Sequence, residues 1–277
     1  DVILMKKLLT LISGLCLASA LQAQVRTEQL FEKGWKFTRE DKVEFSQAGY
    51  DDAKWQSVTV PHDWAIYGPF SINNDKQNIA ITQDGQKEAM EHAGRTGRLP
   101  FVGVGWYRLD FEAPSFEKGK QATLIFDGAM SHARVYVNGQ EAGYWPYGYN
   151  SFHLDVTPYL KAGEVNELAV RLENENESSR WYPGAGLYRN VHLVVTEDAY
   201  VPTWGTQIST PIVNEKYAKV VLNTKLATTK GADRSAYRIV TEIKDPNGKV
   251  VAKEENKLSI YNECQFEQEF AVATPAL

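Results

Sequence analysis

Arg134-Val135-Tyr136-Val137-Asn138-Gly139-Gln140-Glu141-Ala142 decides the fold class of this chain. A strand-like segment runs into Asn138-Gly139, and that dipeptide supplies the two positive φ values of a type I′ turn. The stretch predicts a tight β-hairpin. Outward from it, Tyr107-Arg108-Leu109-Asp110-Phe111-Glu112 alternates apolar and charged residues strictly, which places one face in a core and the other in water. Leu168, Val170 and Leu172 alternate with Glu167, Arg171 and Glu173, and Val191, Leu193 and Val195 continue the pattern. Long helical periodicity is missing after the N-terminal segment. Short strands separated by turns predict an all-β sandwich or jelly roll, placed at residues 26–196.

Between Tyr67 and Pro100 the strand signal fades into a polar segment rich in Asn, Gln and Gly, read as one long loop. Ala199-Tyr200-Val201-Pro202 marks a boundary. Beyond it, strands are expected at 218–226, 237–243, 249–254 and 265–272, with Asp245-Pro246-Asn247-Gly248 as a turn. This second set reads as an immunoglobulin-type sandwich over 197–277, about 80 residues against the ~100 usual for that fold. It ends at Thr274-Pro275-Ala276-Leu277 without a closing strand, so a truncated sandwich is expected.

The N-terminus carries a different signal. Lys6 and Lys7 follow Met5, Leu8 to Leu21 is mostly apolar, and Leu21-Gln22-Ala23 offers a processing site, with Ala18 and Ala20 as alternatives. The run is too short for a membrane span and reads as a secretory signal peptide over 1–23, hence export to the periplasm or beyond. Leu15 before Cys16 is too large for a lipoprotein site. Removal of the signal leaves Cys264 alone, so an intramolecular disulfide is not expected.

With 277 residues, 43% hydrophobic and 23% charged, the chain is long enough for two domains. A net charge of −5 provides no electrostatic pull toward nucleic acid. No CxxC, HExxH or P-loop is present, and no metal or cofactor is expected. The 7 Trp and 14 Tyr suit sugar stacking and sandwich cores equally.

Four clusters can carry chemistry. In Pro61-His62-Asp63-Trp64, adjacent side chains of an extended chain point to opposite faces, so His62 and Asp63 do not easily share a proton. They either satisfy loop amides or contact a ligand. Gly103-Val104-Gly105-Trp106-Tyr107-Arg108 has sparse glycines leading into a strand, which is core-entry structure rather than a phosphate cradle. Trp145-Pro146-Tyr147-Gly148-Tyr149-Asn150 forms a stiff aromatic loop that either presents a sugar platform or fills the end of the sandwich. Ser178 to Arg189 interrupts the alternation; Arg180 offers a planar fork of donors and Trp181 a stacking face. No carboxylate pair at the ~5–5.5 Å of a retaining glycosidase and no nucleophile elbow is identifiable. Asn176-Glu177-Ser178 is a sequon by pattern only.

Taken in order, Pro61-His62-Asp63-Trp64, Gly105-Trp106-Tyr107-Arg108, Val135-Tyr136-Val137-Asn138-Gly139 and Ser179 to Arg189 resemble the N-terminal region of glycoside hydrolase family 2 enzymes of the β-galactosidase type. The resemblance covers 26–196 well and 197–277 loosely. It implies a sugar-binding jelly roll, an immunoglobulin-like sandwich and then a (β/α)8 barrel that bears both catalytic glutamates of a retaining hydrolysis. Such a barrel needs about 250 further residues, so the chain itself is expected to be inactive, with the C-terminal barrel of the same polypeptide and a carbohydrate as its partners. By the same resemblance, loops of the first domain wall the substrate pocket. That role falls on Asp63, Arg180, Trp181 and Tyr182, with Arg95 and Arg98 from the long loop. The resemblance leaves the sugar open, since family members include β-glucuronidases and β-mannosidases. A free-standing carbohydrate-binding module and a purely structural exported β-protein remain as alternatives.

Overall fold

The computed structural model describes residues 26–68, 70–74, 76–93, 102–117, 119–175, 182–229, 236–259 and 263–275. The strands in its first part are β1 (Arg26–Leu30), β2 (Trp35–Thr38), β3 (Gln56–Val58), β4 (Lys76–Ile79), β5 (Met90–Ala93), β6 (Gly103–Glu112), β7 (Gln121–Phe126), β8 (Ala133–Val137), β9 (Gln140–Trp145), β10 (Phe152–Asp155), β11 (Val165–Asn174) and β12 (Val191–Thr196). Then come β13 (Ala199–Tyr200), β14 (Thr206–Val213), β15 (Tyr217–Thr228), β16 (Ala236–Lys244), β17 (Val250–Ser259) and β18 (Glu263–Ala273). Two short 3-10 turns, Val43–Ser46 and Thr82–Asp84, are the only helical segments among the described residues. The protein is all-β, as its alternation predicts, and no helix among the described residues is long and apolar enough to cross a membrane.

A four-stranded antiparallel sheet, β1-β12-β7-β10, faces a six-stranded one, β3-β2-β6-β11-β8-β9. Between them lie the inward residues of the period-two strands: Tyr107, Leu109 and Phe111 of β6, Leu168, Val170 and Leu172 of β11, and Leu124 and Phe126 of β7. Val191, Leu193 and Val195 of β12 close the layer. The quoted hairpin is β8-β9. Asn138 and Gly139 have φ of 51° and 79°, as the type I′ reading requires. Asn138 also ties the turn down, since its Nδ2 donates to Tyr159 O and to Asn166 Oδ1, both at 2.8 Å.

The outer face of β6 departs from the simple alternation rule. Arg108 is only 2% exposed. The segment around the first 3-10 turn folds over this face, packing Phe45 against Trp106 and Ala169. Arg108 survives burial because its fork is filled: Nε donates to Asp52 Oδ2 (3.0 Å), Nη2 to Glu167 Oε1 (3.3 Å), and Nη1 to the carbonyls of Phe45 (2.7 Å) and Gln47 (3.1 Å). Alternation marks a two-faced strand but cannot show that a distant loop will cover the second face.

Within the polar segment read as one long loop, the described residues 76–93 include a hairpin, β4 pairing β5 from Lys76↔Ala93 to Ile79↔Met90. In the second part, β15 is central, with β13 and β14 along one edge and β18 along the other. β16 and β17 form a hairpin through the expected Asp245–Gly248 turn, closed by Gly248 N–H to Asp245 O at 2.9 Å. Sequence reading overlooks β14, whose Pro211 sits at a register shift between Ser209 and Ile212. A proline inside a run ordinarily argues against a strand, yet it is tolerated at an edge irregularity. The first and second parts touch through Lys120 and Glu197 (2.7 Å), Tyr200 Oη donating to Gln121 Oε1 (3.2 Å), and the Trp204 ring against His153 (centroids 5.1 Å apart).

Candidate functional site

The Pro61–Trp64 and Gly105–Arg108 motifs interlock. Trp64 is buried and stacks on Phe37 with centroids 5.6 Å apart. Its ring also passes over Gly105, where an added Cβ would come within 2.6 Å of Trp64 Cζ3. Glycine is therefore required in β6 by the close approach of an aromatic ring. Two residues earlier in the loop, His62 Nδ1 lies 2.8 Å from Tyr107 Oη. Burial, partly opposed by the charge of Asp63, pushes the His62 imidazole below its ordinary value, so it is neutral at pH 7. Burial likewise raises the Tyr107 phenol well above its usual range.

The 182–189 segment is sewn onto this corner. His62 N–H donates to Leu187 O at 2.7 Å, and Gly186 exchanges backbone hydrogen bonds with Met130. Gly186 has φ of 90°, and a side chain there would collide with Tyr107 Oη and His62 O. This junction holds Tyr182 so that its phenol donates to Asp63 Oδ2. Asp63 Oδ1 accepts from Ala65 N–H at 2.9 Å, an Asx-type bond that sets the carboxylate's rotamer. Burial, then the hydrogen bond to Asp63, holds the Tyr182 phenol far above its usual ionisation range.

Beside this pair opens a cleft of about 900 Å³, lined among others by Lys33, Gln56, His62, Asp63, Tyr67 and Tyr188. Its lining offers groups to which hydroxyls can bond. A half-buried carboxylate with a fixed rotamer and spare lone pairs accepts hydrogen bonds from a polyol, and neutral imidazole and phenol groups surround it. Among the described residues of the cleft no acid is paired with a nucleophile: His62 faces Tyr107, and Asp63 faces Tyr182. Among the described residues no group of three or more His, Cys, Asp or Glu is placed to hold a metal ion.

Of the residues expected to wall a pocket, Asp63 and Tyr182 are brought together. Arg95, Arg98, Arg180 and Trp181 lie outside the described residues. Lys33, Gln56 and Tyr188 join the cleft without having been anticipated. Lys33 and Gln56 carry no motif, whereas Tyr188 lies inside the quoted Ser178–Arg189 break. The aromatic loop divides between its two readings. Trp145 packs inward, stacked on Phe152 with centroids 5.7 Å apart, whereas Tyr147 and Tyr149 are exposed.

Comparison with known proteins agrees with this architecture. Residues 31–197 match the model of the glycosyl hydrolases family 2 sugar binding domain. The chain is 36% identical over 267 residues to Beta-galactosidase BoGH2A of Bacteroides ovatus, covering 95% of this chain and 29% of that protein. It is 27% identical over 256 residues to a beta-glucuronidase of Formosa agariphila, covering 85% of this chain and 24% of that protein. Among solved structures, a glycosyl hydrolase family 2 member from Bacteroides cellulosilyticus superposes with a TM-score of 0.76 at 31% identity, over 90% of this chain and 31% of that one. The chain thus spans about a third or less of the length of the proteins it matches. The interlocked loops around Asp63 stand on a sandwich that is shared across these relatives, and the chain belongs to glycosyl hydrolase family 2.

Proposed function

We propose that this chain is the non-catalytic, substrate-side front of an exported retaining β-glycosidase that hydrolyses terminal β-galactosides. Its loops complete one wall of a pocket whose catalytic carboxylates belong to a C-terminal barrel of the same polypeptide. The observation that carries this reading is the Tyr182–Asp63 pair at the edge of the cleft. Two motifs far apart in sequence converge there to hold a carboxylate that no core packing needs. A carboxylate so held binds paired sugar hydroxyls and positions a glycoside against chemistry supplied from the opposite side. The relative named a beta-galactosidase, aligned over nearly the whole chain, supports the galactoside.

A β-glucuronide is the second reading. Lys33 lines the cleft as a cation for a uronate carboxylate, and one relative is named a beta-glucuronidase. Export is proposed from the basic and apolar N-terminal segment. The test is turnover of nitrophenyl β-galactoside and nitrophenyl β-glucuronide by this chain alone and by a polypeptide in which a C-terminal barrel follows it. The expected outcome is no turnover by the chain and preferential cleavage of the galactoside by the longer protein. Turnover by the chain alone, or a longer protein inert toward both, defeats the proposal; preference for the glucuronide selects the second reading.

A further inference from the structure

Building on the reading of the Asp63 cleft as a glycoside site, we propose that Tyr147 and Tyr149 form a separate stacking platform for a further pyranose ring of an oligosaccharide, with Tyr188 as the wall shared between platform and cleft. Tyr147 is 55% exposed and Tyr149 43%, and their ring centroids stand 5.6 Å apart at 55°. Exposed aromatics on a mobile loop would carry little meaning, but this loop is built to be stiff. Trp145 roots it in the sandwich end against Phe152, and Trp145 Nε1 donates to Asn150 Oδ1 at 3.0 Å across the loop. Gly148, between the two tyrosines, is buried, and a Cβ there would strike Met130 Sδ.

Tyr188 joins the two places. Its hydroxyl donates to Gly148 O at 2.6 Å, while the residue lines the Asp63 cleft. Its ring lies against Gly128, where a Cβ would come within 2.6 Å of Tyr188 Cζ. The platform is therefore fixed relative to the cleft by one side chain and two glycines. Rigid tyrosines with an apolar ring and a polar tip lose little conformational freedom on binding and match the C–H face and hydroxyl rim of a pyranose. The phenol hydroxyls favour a sugar over an apolar polypeptide segment. The exposed Ile66, Phe70 and Ile72 elsewhere on this module have no such polar tips.

Calorimetry of this chain with β-linked galacto- and gluco-oligosaccharides of one to four residues tests the platform. Affinity is expected to rise about threefold to tenfold from the shortest to the longest members of the preferred series, the range of one aromatic stacking contact. In the double variant Tyr147→Ala/Tyr149→Ala the rise should vanish while monosaccharide affinity is kept, and Tyr147→Phe/Tyr149→Phe should restore it. Asp63→Asn should lower affinity for every length and leave the ratio between lengths intact. If Asp63→Asn changes nothing while the tyrosine variant abolishes the rise, the platform stands and the cleft reading fails. A rise that persists without the tyrosines, affinity independent of length, or no binding of either series overturns the platform.

Discussion

Tyr182 donates its phenolic hydrogen to the Oδ2 of Asp63, a residue 119 positions earlier in the chain. That bond turns a loop carboxylate into a positioned one. Asp63 also accepts from its own loop at Ala65 N–H, so its orientation is specified from two directions. Replacing Tyr182 with Phe keeps the ring's packing and removes only the donor. The expected cost is about 1.5 kcal/mol of folding stability, the low end for a hydrogen bond to a charged acceptor because both groups are half-buried. Urea denaturation of the two proteins measures it, and a lost midpoint shift would show that the bond contributes nothing.

The same phenol sets an alkaline limit. Its folded ionisation lies above the ordinary value of 10.0, so above pH 10 the unfolded chain releases a proton that the folded chain keeps. The stabilisation is complete below pH 10 and drains away as pH climbs toward the folded value. Tyr182→Phe should therefore flatten the alkaline limb of the stability profile. The buried Tyr107, shifted in the same direction, leaves a residual slope.

His62 acts with the opposite sign at the acid end. Burial depresses its folded value below 6.5, so below pH 6.5 the unfolded chain takes up a proton that the folded chain resists. Stability is expected to fall as pH drops from 6.5 through the folded value, and His62→Gln, which retains a polar partner for Tyr107, should move that decline to lower pH. An unchanged acid limb would assign the decline to other groups.

Arg108 offers a stability test away from the cleft. Arg108→Met leaves Asp52 and Glu167 without their shared cation and two carbonyls without a donor. A loss of about 3 kcal/mol is expected, the lower part of the range for breaking a buried ion pair, since both carboxylates keep some contact with solvent. Arg108→Lys should recover little of it, because an ammonium cannot span the fork. Denaturant midpoints of the three proteins decide.

Gly186→Ala joins strain to a clash. The residue has φ of 90°, and its new methyl would meet Tyr107 Oη and His62 O. A penalty of about 3 kcal/mol is expected for the left-handed strain and the forced shift together. Weaker glycan binding should accompany it, because this junction holds Tyr182 against Asp63. Stability and calorimetric affinity measured on one variant would show whether the two fall together.

Much of this architecture is legible along the chain because strand periodicity and turn chemistry are local. The alternation in Tyr107–Glu112, the Asn138-Gly139 turn and the Asp245–Gly248 turn each depend on residues adjacent in sequence, and each appears where its residues demand. The unforeseen features are non-local. Arg108 reads as a solvent-facing charge until Phe45 and Asp52 close over it, and the core-entry glycines give no sign that Trp64 will lie across Gly105. The amino-acid order by itself determined an all-β protein of the family, and it singled out Asp63 and Tyr182 as residues of interest. Only the tertiary structure decided that those two share a proton donor and acceptor, that Tyr188 bridges cleft and aromatic loop, and which of Trp145, Tyr147 and Tyr149 face outward. Backbone pattern is set by each residue's neighbours along the chain, whereas hydrogen-bond partnership and exposure are set by which distant segments packing brings within a few ångströms.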